Sequence, residues 1–253
     1  MTTPSHYDGY LERVGALLAR IATEERESIG KAASAIADRV AEDRLVYVIG
    51  PGGHSSMGAE EVFFRAGGLA CVSALLDEGF LLSNGALRSM AVERTPGYAR
   101  AILRNADLTA GDVLLVVNAY GINSATVDSA IYAREVGVTT IGVTSVELQR
   151  ALPPDHPARH PSRQDVCDLV DIVVDTKVPV GDAVMEIDGV RERVGSVSTF
   201  ANAFALNAVM LEAVAELARR GIEPPIWRSG NSPGGDEANR AVIARYKSRV
   251  KKL

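Results

Sequence analysis

Apolar residues recur at three- and four-residue steps through residues 7–43. Leu11, Val14, Leu17, Leu18 and Ile21 form one stripe, and Ile29, Ala33, Ile36 and Val40 another. That period predicts helices with one buried face. Beyond residue 43 the pattern changes to short apolar runs rich in β-branched residues, at 44–49, 69–76, 112–118, 138–144 and 169–175. Most of these runs lack period-two alternation, as expected of parallel strands covered on both faces. Helical patterns at 55–66, about 84–104 and 124–136 separate them. The rhythm predicts an α/β fold: a doubly wound five-stranded parallel sheet flanked by helices, with helical extensions at both ends.

The segment Leu152 to Asp165, LPPDHPARHPSRQD, interrupts the rhythm with prolines and two histidines, His156 and His160. It reads as an exposed surface loop and a candidate mobile lid. After the fifth strand, residues 178–198 are glycine-punctuated and read as irregular. A long apolar helix follows over 199–220, then a turn-rich stretch and a terminal amphipathic helix. One domain over 1–253 accounts for all of this, with N-terminal helices at 1–43, a sheet core at 44–197 and C-terminal helices at 198–253.

The 253 residues, 47% of them hydrophobic, suffice for one substantial core. A net charge of −5 argues against a polyanion-binding scaffold, and the basic tail Arg245 to Leu253 reads as a favourable end to a last helix. Nucleic acid is therefore not an expected partner. Cys71 and Cys167 lie in apolar runs and read as buried thiols of a reducing compartment. The N-terminus lacks a cationic start followed by an apolar core, and no apolar stretch reaches the roughly 18 residues of a spanning helix. The expectation is a soluble cytoplasmic protein with no membrane partner.

Candidate chemistry gathers at three strand ends. After the first strand, in VYVIGPGGHSSMGAEEVFF (Val46 to Phe64), Gly50, Gly52 and Gly53 allow a sharp turn and close backbone approach to a ligand. Ser55 is a candidate N-cap for the next helix, whose positive end attracts anions. Ser55 also stands where a dinucleotide fingerprint needs its third glycine. Asp77 lies at the spacing of a ribose-binding carboxylate, so a nicotinamide reading stays weakly open, but no cofactor is expected. After the third strand, VVNAYGINSATVDSA (Val116 to Ala130) offers Gly121 as a turn and Asn123 or Ser124 as a helix start. After the fourth strand, Thr144 and Ser145 are positioned to cap the helix beyond. Three such loops at the carboxyl ends of parallel strands line one crevice, where open α/β sheets bind ligands. In the first helix Glu60 reads as solvated, and Glu61 is placed for an i,i+4 pair with Arg65. No residue spacing suggests a metal site. Asp182, Glu186, Asn231 and Asp236 fall in glycine-rich turns, where such residues bond local backbone.

The stretches GPGGHSSMGAEEVFFRAGG, VVNAYGINSATVDSA and IGVTS together resemble the SIS (sugar isomerase) domain family over roughly residues 40–220. The resemblance implies a five-stranded parallel sheet that binds sugars or phosphosugars. Its members serve as isomerases, aminotransferase lobes, etherases or sensing domains. Ala59–Glu61 matches the segment carrying the general base of phosphoheptose isomerases, which puts Glu61 in that role. Those enzymes show S-x-S-G-x-S after the third strand, whereas here Asn118, Tyr120, Gly121 and Asn123 stand at the matching positions. The helix histidine of those enzymes is Met57, and their second catalytic histidine has no counterpart, leaving His54 as the candidate acid.

The resulting expectation is an aldose–ketose isomerase acting through an enediol. Glu61 and His54 are its catalytic pair, and Gly52, Gly53, Ser55, Ser56, Asn118, Tyr120, Gly121, Asn123, Thr144 and Ser145 hold the sugar or sugar phosphate. A non-catalytic sugar-binding domain and a lyase or etherase using the same carboxylate are the alternatives. The apolar helices at 7–24 and 199–220 suggest a homodimer or homotetramer.

Overall fold

The computed structural model describes residues 5–253. Two helices open the chain, α1 (His6–Glu24) and α2 (Arg26–Ala41). The 7–43 stripe breaks between them at Glu25, whose buried carboxylate accepts the Asp175 N–H at 3.1 Å and pairs with Lys177 at 2.6 Å. The alternating core then runs β1 (Val46–Ile49), α3 (Gly53–Glu61), β2 (Val72–Ala74), α4 (Ala86–Glu93), α5 (Tyr98–Asn105), β3 (Val113–Val117), α6 (Ser124–Glu135), β4 (Thr139–Thr144), α7 (Val146–Ala151), α8 (Val166–Leu169) and β5 (Ile172–Asp175). The span expected as one helix near 84–104 is two. Thr95, Pro96 and Gly97 separate α4 from α5, with Gly97 left-handed at φ +84°. Pro96 disfavours helical geometry at the residue before it, so α4 stops at Glu93.

The five strands form a wholly parallel sheet in the order β2-β1-β3-β4-β5. Alternate residues of the central strand go to opposite layers. Val113, Leu115 and Val117 pack with Ile36, Leu206 and Val209, while Leu114 and Val116 pack with Leu103, Ala125 and Val127. This two-sided burial explains why the strands read as unbroken apolar runs. From β1 the chain crosses to β2 on one side and then to β3 on the other. The switch point therefore lies between β1 and β3.

The segment read as irregular after β5 instead forms an antiparallel hairpin, β6 (Ala183–Met185) and β7 (Val194–Ser196). Asp182 ties it to the next helix, α9 (Ser198–Arg219), by accepting from Val197 N–H, Ser198 N–H and the Ser198 hydroxyl at 2.8–3.0 Å. Contrary to the sequence expectation, α9 is long and apolar enough, by length and composition, to cross a membrane. Its buried face, including Ala201, Ala205, Leu206 and Val209, belongs to the core cluster shared with α2 and α3. The last helix is α10 (Gly235–Tyr246).

The proline loop is no loose lid. Arg159, its side chain 6% exposed, donates to the carbonyls of Gln149, Leu152 and Pro153 and pairs with Asp165. His156 and His160 are half-buried, and His160 Nε2 lies 3.5 Å from the Asp128 carboxylate. Asp165, Cys167 and Asp168 cluster here, with Arg150 bonded to both aspartates. Arg159→Ala removes one of the two arginines on the buried Asp165 carboxylate and the donor to the Gln149 and Leu152 carbonyls, so it is expected to cost about 2 kcal/mol, read from the urea midpoint.

Candidate active site

A cleft of about 360 Å³ opens at the carboxyl ends of β1 and β3, on the switch point. Its floor is the turn after β1. Ser56 holds that turn closed: its hydroxyl donates to the Gly50 and Gly52 carbonyls at 3.0 and 2.9 Å, and its N–H to the Gly52 carbonyl. Ser56 is thus buried framework, not a ligand donor. Gly52 caps α3 without any side-chain bond, and Ser55 lies in the first turn instead of at the cap expected for it. Gly53, His54 and Ser55 line the cleft, so this helix start presents them to a ligand. Their N–H groups, at the start of the helix, have no intrahelical acceptor.

The second wall is the turn after β3. The Asn118 side chain organises it, donating to the Pro51 carbonyl at 3.0 Å and accepting the Tyr120 and Gly121 N–H groups at 3.0 and 2.9 Å. Asn118, Tyr120 and Asn123 line the cleft, whereas Gly121, Thr144 and Ser145 support it from behind. Gly121 is left-handed at φ +61°, and a Cβ there would meet the Gln149 side chain at 2.5 Å. Thr144 Oγ1 donates to the Asn118 carbonyl at 2.6 Å and accepts from Gln149. Ser145 does cap the helix beyond, accepting from Leu148 N–H and donating to the Val178 carbonyl.

The cleft's inward carboxylate is one the sequence did not single out. Glu93, the last residue of α4, packs over Gly52, where a Cβ would lie 2.4 Å from its Oε2. Its Oε1 accepts from Asn123 Nδ2 at 3.2 Å. Burial pushes its carboxyl up to about 7, with Arg94 opposing weakly. A carboxylate closing a helix C-terminus is electrostatically unfavourable, and that was the available signal once the Thr95–Gly97 break is recognised. Glu61 lies at the other end of α3, about 12 Å along the axis from Gly53 at 1.5 Å per residue. It lines a separate hollow with Asn207 and Leu211, pairs with Arg65 at 3.1 Å and accepts from Asn207 Nδ2 at 3.1 Å.

Asn202, Ser198, Ser196 and Asp182 complete the cleft from α9 and the hairpin. Asn202 is 4% exposed and its Oδ1 has no hydrogen-bond partner. Tyr120 stays 36% exposed, and burial, with help from Asp182, raises its hydroxyl. Asp77 lies outside the cleft lining, with its carboxylate bonded to the Tyr98 hydroxyl and the Gly79 N–H, both at 2.7 Å.

The SIS domain profile matches residues 9–145. The chain belongs to the SIS domain family. A UPF0309 protein of Brucella anthropi is 39% identical over 247 residues, covering 98% of this chain and 97% of that protein. A UPF0309 protein of Geobacillus thermodenitrificans is 35% identical, covering 96% of each. Among solved structures, a phosphoheptose isomerase from Neisseria gonorrhoeae aligns with TM-score 0.54 at 12% identity, over 83% of this chain and 97% of that one. The Vibrio vulnificus NanR protein complexed with ManNAc-6P aligns with TM-score 0.50 at 13% identity, over 99% and 71%. At these identities the structural matches establish the shared SIS fold.

Proposed function

We propose that this SIS domain is an aldose–ketose sugar isomerase with Glu93 as its proton-transfer group. The observation that carries the reading is a carboxyl with pKa near 7 inside the switch-point cleft. A group poised there is both a competent base and a competent acid at neutral pH. Glu93 takes the proton from the carbon next to the open-chain carbonyl, giving an enediol(ate), and returns it to the former carbonyl carbon. The N–H groups of Gly53 and His54, at the start of α3, stabilise the oxygen that gains charge, and the His54 imidazole, on the cleft lining, moves the hydroxyl proton. Asn123 orients the carboxylate through its 3.2 Å bond. Phosphoheptose isomerases among the solved structures of the same fold support the reaction class.

Turnover of an aldose–ketose panel, read by product chromatography, tests the reading; ligand binding without conversion would leave a sugar-binding domain. The rival base is Glu61, the position matching the phosphoheptose isomerase segment. Glu61→Gln is expected to keep turnover within about threefold of wild type, because an i,i+4 pair contributes only a few tenths of a kcal/mol. Loss of turnover there, with Glu93→Gln still active, would return the role to Glu61.

A further inference from the structure

The groups facing the cleft also carry information about the charge of the substrate, an inference that rests on the function proposed above. We propose that the site takes an uncharged, unphosphorylated sugar. No lysine or arginine lines the cleft among the described residues, and its acidic groups are Glu93 and Asp182. His54 is the one basic side chain among the described residues that line it. Desolvating a phosphate dianion beside two carboxyl groups, without a fixed cation, is unfavourable.

Several donors that could replace a cation are already spent within the fold. In the turn after β3, the N–H groups of Tyr120 and Gly121 both point to Asn118 Oδ1. The Thr144 hydroxyl donates to the Asn118 carbonyl, and the Ser56 hydroxyl donates to two carbonyls of the β1 turn. The N–H groups of Gly53, His54 and Ser55 and the Ser55 hydroxyl remain at the start of α3, but they lie beside Glu93, whose Oε2 packs over Gly52. A phosphate placed there would oppose that carboxylate as it ionises.

The unspent groups suit hydroxyls instead. Asn202 lines the cleft and its buried Oδ1 has no donor; a turn of the side chain would bring that acceptor to a sugar hydroxyl, whereas a phosphate dianion has no hydrogen to give it. Leu82, Met90 and the Tyr120 ring provide apolar surface for the C–H face of a pyranose or open chain.

The test uses the wild-type protein and matched pairs: glucose, fructose, mannose and N-acetylmannosamine, each against its 6-phosphate, with inorganic phosphate alongside. Affinities come from calorimetry after a thermal-shift screen. The expected result is one free sugar binding at least about tenfold tighter than its phosphate, equivalent to about 1.4 kcal/mol. Tighter binding of the phosphorylated member overturns this inference and leaves the isomerase reading intact. Binding by neither member of every pair overturns both. Asn118→Ser, which releases the two turn N–H groups, is expected to narrow the discrimination, and an unchanged ratio in a folded variant would remove the role given to Asn118.

Discussion

Glu93→Gln is expected to lower turnover by about 10²–10⁴-fold, the range for removing a positioned general acid–base group. The same variant is expected to be more stable than wild type at and above neutral pH. Both effects have one physical origin. The carboxyl sits where burial disfavours its charge, so its pKa rises from the ordinary 4.5 to about 7. Between those two values the native state holds a proton that the unfolded chain has released. Stability from this group therefore falls as pH rises from about 4.5 to 7 and stays low beyond. At full burial the shift would correspond to about 3 kcal/mol. Glu93 is partly exposed, and solvent screening reduces this to about 1–2 kcal/mol. Glutamine retains an acceptor for Asn123 Nδ2 but carries no charge, so it removes the penalty.

The gain is expected in urea midpoints at pH 8 and should vanish below about pH 4.5, where both side chains are neutral. Wild-type kcat/KM should fall as pH drops through about 7, because the base is then protonated. Free-sugar binding should survive the substitution, which separates lost chemistry from a collapsed cleft. Wild-type turnover in Glu93→Gln would end the assignment. A variant with less stability at pH 8 would show instead that the native carboxylate is favourably solvated.

The sheet was legible because its strands are buried on both faces and so leave apolar runs that need no tertiary knowledge to recognise. Loop chemistry was legible only in part. Gly53, His54, Ser55, Asn118, Tyr120 and Asn123 could be picked out as residues at strand ends, and they do line the cleft, while Gly52 caps α3 under Glu93. Ser56, Gly121, Thr144 and Ser145 occupy the same ends, but their groups turn back on the framework. Residue type and spacing are alike in the two sets. What separates them is the packing of Gln149 and Val178 behind Gly121, Thr144 and Ser145, and the bonds of Ser56 to the Gly50 and Gly52 carbonyls. Glu93 was hidden inside a span whose apolar period reads as one helix, and its partner Gly52 lies on another element. Glu61 matches the position of a family motif, yet its surroundings depend on α9, far along the chain. The hairpin at 183–196 escaped notice because its strands are three residues each, too short for a period to register.

Gly50→Ala is expected to cost about 3 kcal/mol or more, at the upper end of overpacking effects, and to abolish sugar binding with it. A Cβ at Gly50 would lie 2.0 Å from the Ser55 carbonyl oxygen, 2.4 Å from its carbon and 2.8 Å from Ser56 N. These are backbone atoms of the first turn of α3, so no rotamer change relieves the clash. Retreat of Gly50 is blocked as well. β1 is paired along its length with β3 and over most of it with β2, and the Gly50 carbonyl accepts the Ser56 hydroxyl. The remaining escape is a shift of α3 itself, which would move Gly53, His54 and Ser55 together and open the cleft floor. Gly15 is the internal control: it sits within α1 with nothing within 4 Å of a built Cβ. There alanine is expected to stabilise by about 0.5–1 kcal/mol through helix propensity alone. Urea midpoints for the two variants should therefore move in opposite directions. If Gly50→Ala keeps both its midpoint and its sugar affinity, the turn after β1 is not the rigid element on which the cleft depends.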